Sequence, residues 1–219
     1  MDDFPKLPPI AYHELRHKIR SGDILLCSGN SPFSTLIQRA TNSVWSHVAF
    51  VLRLDVIDRI MILESVESIG VRTVPLSNYV FDYNATQKGY PGRIMIARHA
   101  DVRQENIVKL SKYATSLLGY PYDSEEIVRI AMRIGLGTVN LQPDSPESVP
   151  SHAFICSEYA YICFQSIGIK IPYDCLGFIT PADFARCEKI QPLGYIDPEK
   201  IPAYENTSTK IIQQEREYV

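Results

Sequence analysis

What this sequence has little of narrows its reading first. No apolar run approaches the roughly 20 residues needed to cross a bilayer, so no membrane span is expected. There is no basic excess: 22 lysines and arginines stand against 25 acids, a net charge of -3. With no basic run either, nucleic acid is not the expected partner. The five cysteines include no CxxC pair and no regular spacing, which suggests neither a disulfide framework nor a thiolate zinc site. Repeats and low-complexity tracts are missing. The opening MDDFPKLPPI lacks the basic start and unbroken apolar stretch of a secretory signal. Unpaired thiols imply a reducing compartment, and the expected location is cytoplasmic.

What remains is an ordinary globular composition, 45% hydrophobic and 21% charged over 219 residues, enough for one sizeable core. The chain divides into an arm with a short helix at 1–21, a main body at 22–196 and a polar, proline-containing tail at 197–219. Residues 12–20 (YHELRHKIR) read as a charged helix. His13 and His17 lie one turn apart there, but no third ligand stands at a sensible spacing, and a solvated helix face is the default.

Residues 24–27 (ILLC) read as a buried strand and 31–41 (SPFSTLIQRAT) as a helix with Ser31 as cap and Pro32 first inside. Two β-rich runs follow, 44–54 (VWSHVAFVLRL) and 59–68 (RIMILESVES), joined by a connection short enough for a hairpin. Residues 70–79 read as a further edge strand broken by Pro75, and 93–98 (RIMIAR) as another strand, with His99 exposed at its end. Connections this short leave no room for helical crossovers, so the sheet is expected to be mostly antiparallel. Helical spacing returns at 102–118, at 124–136 and, after Thr180 as cap, at 180–188. A loop at 137–150 is long enough to act as a flap.

Two places carry chemistry. In 151–168 (SHAFICSEYAYICFQSIG) an apolar extended run gives way to a helical pattern of Cys156, Ala160, Cys163 and Ile167, with Gly168 as a stop. Cys156 then sits in a first turn, where unpaired N–H groups and the helix dipole favour thiolate, and a nearby imidazolium can lower a cysteine pKa from about 8.5 into roughly 3.5–7.5. A cysteine on an apolar helix edge is more often a small buried hydrophobe; Cys163, deeper on the same face, reads that way, as does Cys27.

The hairpin supplies the second. With its turn near Val56, facing residues have numbers summing to about 111–113, which sets Glu64 opposite His47 on one face of the sheet. Glu67 has the other parity. Either polar partner alone would be costly to bury, whereas a carboxylate can fix the imidazole tautomer and raise its basicity. An ordinary cross-strand pair near a sheet edge is the plainer alternative.

The segments GDILL (22–26), WSHVAFV (45–51), ILES (62–65), GYPYD (119–123) and ICSEYAYIC (155–163) resemble, in that order, the circularly permuted NlpC-type papain-like hydrolases. The YiiX-like branch is nearest, and lecithin retinol acyltransferase is a more distant relative. The resemblance covers about residues 22–193. It implies an α+β papain-like fold with a small antiparallel sheet packed against helices. It also implies Cys156 as nucleophile, His47 as base, Glu64 as the orienting third member, and Tyr122 of GYPYD as a residue lining the substrate pocket.

The expected activity is thiol-dependent cleavage of an amide in a small peptide or amino-acid conjugate through a thioester, with no cofactor or metal required by the chemistry. A lipid-directed thioesterase or acyltransferase and a silent small-molecule binding protein stand as alternatives.

Overall fold

The computed structural model describes residues 4, 7–123, 153–173 and 178–196. After a short helix α1 (Tyr12–Leu15) come β1 (Ile24–Ser28), α2 (Pro32–Thr41), β2 (His47–Leu54), β3 (Arg59–Val66), β4 (Gly70–Pro75), α3 (Leu76–Phe81) and β5 (Arg93–His99). Then follow α4 (Gln104–Ser116), α5 (Cys156–Gln165), α6 (Pro181–Arg186) and β6 (Ile190–Ile196). The strands form one six-stranded sheet in the order β4-β3-β2-β1-β5-β6, every neighbouring pair antiparallel. This is the expected α+β architecture.

Apolar residues on both parities of the strands explain why helices cover both faces. Leu25, Cys27, Ala49, Val51, Ile60, Ile62, Ile94 and Ile96 pack against Leu15, Ile19 and the α3 residues Leu76, Tyr79 and Val80. From the other face Ile24, Leu26, Val48, Met95 and Ala97 meet Ala160, Tyr161 and Phe164 of α5 and Phe184 of α6. Phe50, Leu63 and Val71 meet Leu110 and Ala114 of α4 together with Tyr159 and Cys163 of α5. Each Val, Leu, Ile, Phe or Met among them contributes on the order of 1.5–3 kcal/mol when fully buried. Cys27 and Cys163 are core residues, as their positions in apolar patterns suggested.

Several elements differ from the sequence reading, each for a local reason. The first helix ends at Leu15 rather than running to residue 20, because Arg53 Nη1 draws in the carbonyl of Arg16 (2.7 Å) and Arg98 Nη2 that of Lys18 (2.8 Å). Residues 70–79 are half strand and half helix: Pro75 closes β4, and Leu76, Tyr79 and Val80, spaced for a helix face, turn inward. His99 is buried, not exposed, at 1% accessibility. It pairs with Ile190 of β6, its ring lies 6.0 Å from that of Phe164, and its Nδ1 accepts the Asp101 N–H. The strand that covers it, IQPLGYI, was hidden by Pro192 and Gly194; an edge position with a register shift opposite, between Ile96 and Ala97, accommodates the proline. The expected helix at 124–136 and flap at 137–150 lie outside the described residues.

Gly70 opens β4 at φ +88°, and a Cβ there would stand 2.1 Å from the Tyr120 carbonyl oxygen. That close approach lets Val71 N–H reach Tyr120 O (2.8 Å) and Gly119 N–H reach Val71 O (2.9 Å), seating the segment that leads to Tyr122. Gly70→Ala is therefore expected to destabilise the protein by more than about 1 kcal/mol, measured as a lowered urea midpoint.

Candidate active site

His47 is the first residue of β2, at the end of the sheet. The hairpin register sets Phe50 against Leu63 and Leu54 against Arg59, the upper end of the expected range. Glu64 is thus displaced along β3 from direct opposition to His47 but keeps the same face. The displacement is bridged by the side chains: His47 Nε2 lies 2.7 Å from Glu64 Oε2.

Glu64 is wholly buried, a position a carboxylate can occupy only when its oxygens are satisfied. Oε2 also accepts Tyr79 Oη at 2.5 Å. Oε1 accepts the Arg72 Nε–H at 2.9 Å, and Arg72 Nη2 stands in an ion pair 2.9 Å from the same oxygen. Arg72 is the residue that faces Glu64 across the β3–β4 pair. Burial opposes the Glu64 charge, but the bonds to His47, Arg72 and Tyr79 outweigh it and hold the carboxyl below its ordinary pKa. Burial and the adjoining Glu64 carboxylate drive Tyr79 well up, keeping its proton available to donate.

Cys156 is the first residue of α5 and 5% accessible, and its own N–H has no acceptor within the helix. Glu158 Oε2 accepts the Ile155 N–H at 3.2 Å, which fixes the entry to the helix. Ser65 Oγ ties that entry to the sheet by donating to Phe154 O (2.6 Å), and Tyr159 Oη ties the helix to α4 by donating to Ala114 O (2.9 Å). The Cys156 thiol adjoins the His47 ring closely enough to act on its charge. Burial disfavours the His47 charge; the sulfur and the carboxylate more than offset this, and the imidazole pKa is pushed up to about 10.

These groups open onto a cleft of about 250 Å³ whose walls include Cys156, His47, Arg72, Phe33, Tyr83 and Tyr122. Tyr122 is raised in pKa, first by burial and then by the negative charge of Cys156, Glu67, Glu158 and Asp123. Glu67 lies beyond the end of β3, exposed in the turn, and reaches the cleft rim. The four residues singled out from sequence therefore come together. The sequence reading missed Arg72 and Tyr79. Continuing β3 through the turn that pairs Val66 with Gly70 would have set Arg72 against Glu64, whereas Tyr79 was hidden by reading its helix as strand. Among the described residues no group of three or more His, Cys, Asp or Glu side chains forms a metal-ligand set, and no helix is long and apolar enough to cross a membrane.

Residues 18–176 match the family described as permuted papain-like amidase enzymes, YaeF/YiiX, C92 family. The chain belongs to this family. As a permuted papain-like amidase it is a cysteine hydrolase of the peptidase or amidase type. Among solved structures it is similar to metalloprotein YiiX from Escherichia coli O157:H7, at 18% identity and a TM-score of 0.56, with 79% of this chain and 95% of that one covered. That likeness bears on the fold. No curated protein matches.

The site makes stability depend on pH with a fixed sign. His47 is raised from 6.5 in the unfolded chain to about 10, so its contribution is complete below pH 6.5 and is lost as pH rises towards 10. The urea midpoint of this amidase is expected to fall across that window, and His47→Gln to flatten the fall.

Proposed function

We propose that the protein hydrolyses an amide bond in a small peptide or amino-acid conjugate, with Cys156 as nucleophile, His47 as acid and base, and Glu64 as the group that orients the imidazole. One observation carries this reading: the His47 ring is bonded to a buried carboxylate and adjoins a thiol at a helix start, and the imidazole and thiol open on one cleft.

The chemistry follows from those positions. Proton transfer from Cys156 to His47 leaves a thiolate, which attacks the substrate carbonyl carbon and forms a C–S bond as the carbonyl electrons move to oxygen. The Cys156 backbone N–H, unpaired within the helix, can donate to that oxyanion. His47 then gives its proton to the leaving nitrogen, the C–N bond breaks and a thioester remains. Water attacks the thioester while His47 takes its proton, and cleavage of the C–S bond releases the acid. Throughout, Glu64 keeps the ring from rotating and stabilises its charged form.

A cleft of about 250 Å³ suits a small acyl group, with Tyr122 as a wall against it. The described cysteines Cys27, Cys156, Cys163 and Cys187 are unpaired, which supports a reducing, cytoplasmic setting.

Iodoacetamide near neutral pH is expected to modify Cys156 faster than the other four thiols, read by peptide mass spectrometry. Equal, slow labelling of all five would instead identify a protein that binds without turnover. Against small peptide amides and acyl thioesters, Cys156→Ala is expected to abolish hydrolysis. Glu64→Gln should cut kcat by about ten- to a hundredfold with the fold intact, and selective cleavage of long-chain acyl thioesters would redirect the assignment to lipid substrates.

A further inference from the structure

The carboxylate behind His47 has an unusually complete set of donors, and they divide between its two oxygens. Oε2 takes His47 and Tyr79; among the described residues Oε1 takes only Arg72, with a hydrogen bond from Nε and Nη2 in ion-pair contact. Removing Arg72 would leave a wholly buried oxygen with no donor, which costs on the order of a charged hydrogen bond. A carboxyl in that state has two escapes: it binds a proton, or it rotates and gives up its alignment with the imidazole.

Charge points the same way. Titratable groups approach Glu64 from every side: Cys27 of β1, His47 of β2, Arg72 of β4, Tyr79 of α3, and Tyr83 and Tyr90 from the segment after α3. Cys156 stands beyond the imidazole. Cys27 and the three tyrosines are neutral near pH 7. The glutamate and guanidinium then cancel, and the Cys156–His47 pair sums to zero whether the proton lies on sulfur or on nitrogen. Without the guanidinium the same enclosure would carry an uncompensated negative charge in both states, which favours protonation of the buried acid.

We propose that Arg72 is a positioning residue of this site, holding Oε1 of Glu64 with two guanidinium nitrogens so that the carboxylate stays ionised with Oε2 turned to His47 throughout turnover. This role rests on the Cys156–His47 chemistry proposed above for its catalytic meaning, though not for the contact itself. It differs from that of a cross-strand ion pair that merely fastens the edge strand β4, since loss of such a pair would change the melting temperature and the Glu64 midpoint but leave the pH profile of Cys156 alkylation alone.

The test reads Glu64 directly, by following its carboxyl ¹³C resonance with pH, beside the pH profile of Cys156 alkylation. In Arg72→Gln the Glu64 midpoint is expected to rise by at least about one pH unit, a tenfold gain in proton affinity, and the acidic edge of alkylation to rise with it. Arg72→Lys, which keeps the charge but offers a single point of contact, should fall between the two.

A folded Arg72→Gln variant whose Glu64 midpoint or alkylation edge matches the parent's overturns the proposal, whatever its melting temperature. If that variant does not fold, the lysine variant decides: a midpoint and an alkylation edge that rise together support the two-nitrogen hold, and either one superimposable on the parent's overturns it. Both rising in a protein that hydrolyses no amide or thioester would count against the proposed function while supporting the hold of Arg72 on Glu64.

Discussion

The arrangement turns on one buried carboxylate. Glu64 is excluded from water, and an ion in that position survives only because β2, β4 and α3 each send it a donor. Three elements that flank β3 are thereby committed to a common point. The apolar packing around them decides that a sheet forms; this carboxylate decides where at its end the imidazole is held. Its cost falls on stability, since a desolvated charge network rarely outdoes an apolar core of equal volume. Its return is an imidazole held in one orientation against a thiol.

Membership of the permuted papain-like amidases gives that geometry its context. The imidazole arrives early in the chain, on a strand that begins at His47, and the thiol arrives late, at the head of α5. Neither segment could set the distance between them by itself. The sheet does so, because β3 contributes Glu64 to the imidazole on one face and Ser65 to the backbone just before Cys156 on the other. The aromatic and hydroxyl residues of the cleft then supply shape around the reacting atoms.

Much of this could be read before any coordinates. The β-branched runs around His47 and Glu64 fixed a hairpin, and parity alone set both side chains on one face. The helical recurrence from Cys156 to Ile167 marked where the thiol would stand. Failures came where local signals conflicted with tertiary partners. Pro192 and Gly194 argue against a strand, yet β6 forms because it lies at an edge with a register shift to accommodate it. The basic helix that begins at Tyr12 has good spacing beyond Leu15, but arginines from two strands take its carbonyls. Arg72 was overlooked because an arginine in an edge strand looks like a solubilising residue until the buried acid across from it is known.

The alternation of Glu64 and Ser65 has one more consequence. Sliding β3 by a single residue against its neighbours would exchange the two faces, driving a carboxylate into the layer of Phe50, Leu110 and Tyr159 while freeing the backbone before Cys156. Mispairing would therefore damage the core and the chemistry in the same stroke. Errors of assembly in this chain should surface as molecules open to degradation, rather than as well-packed copies that merely fail to work.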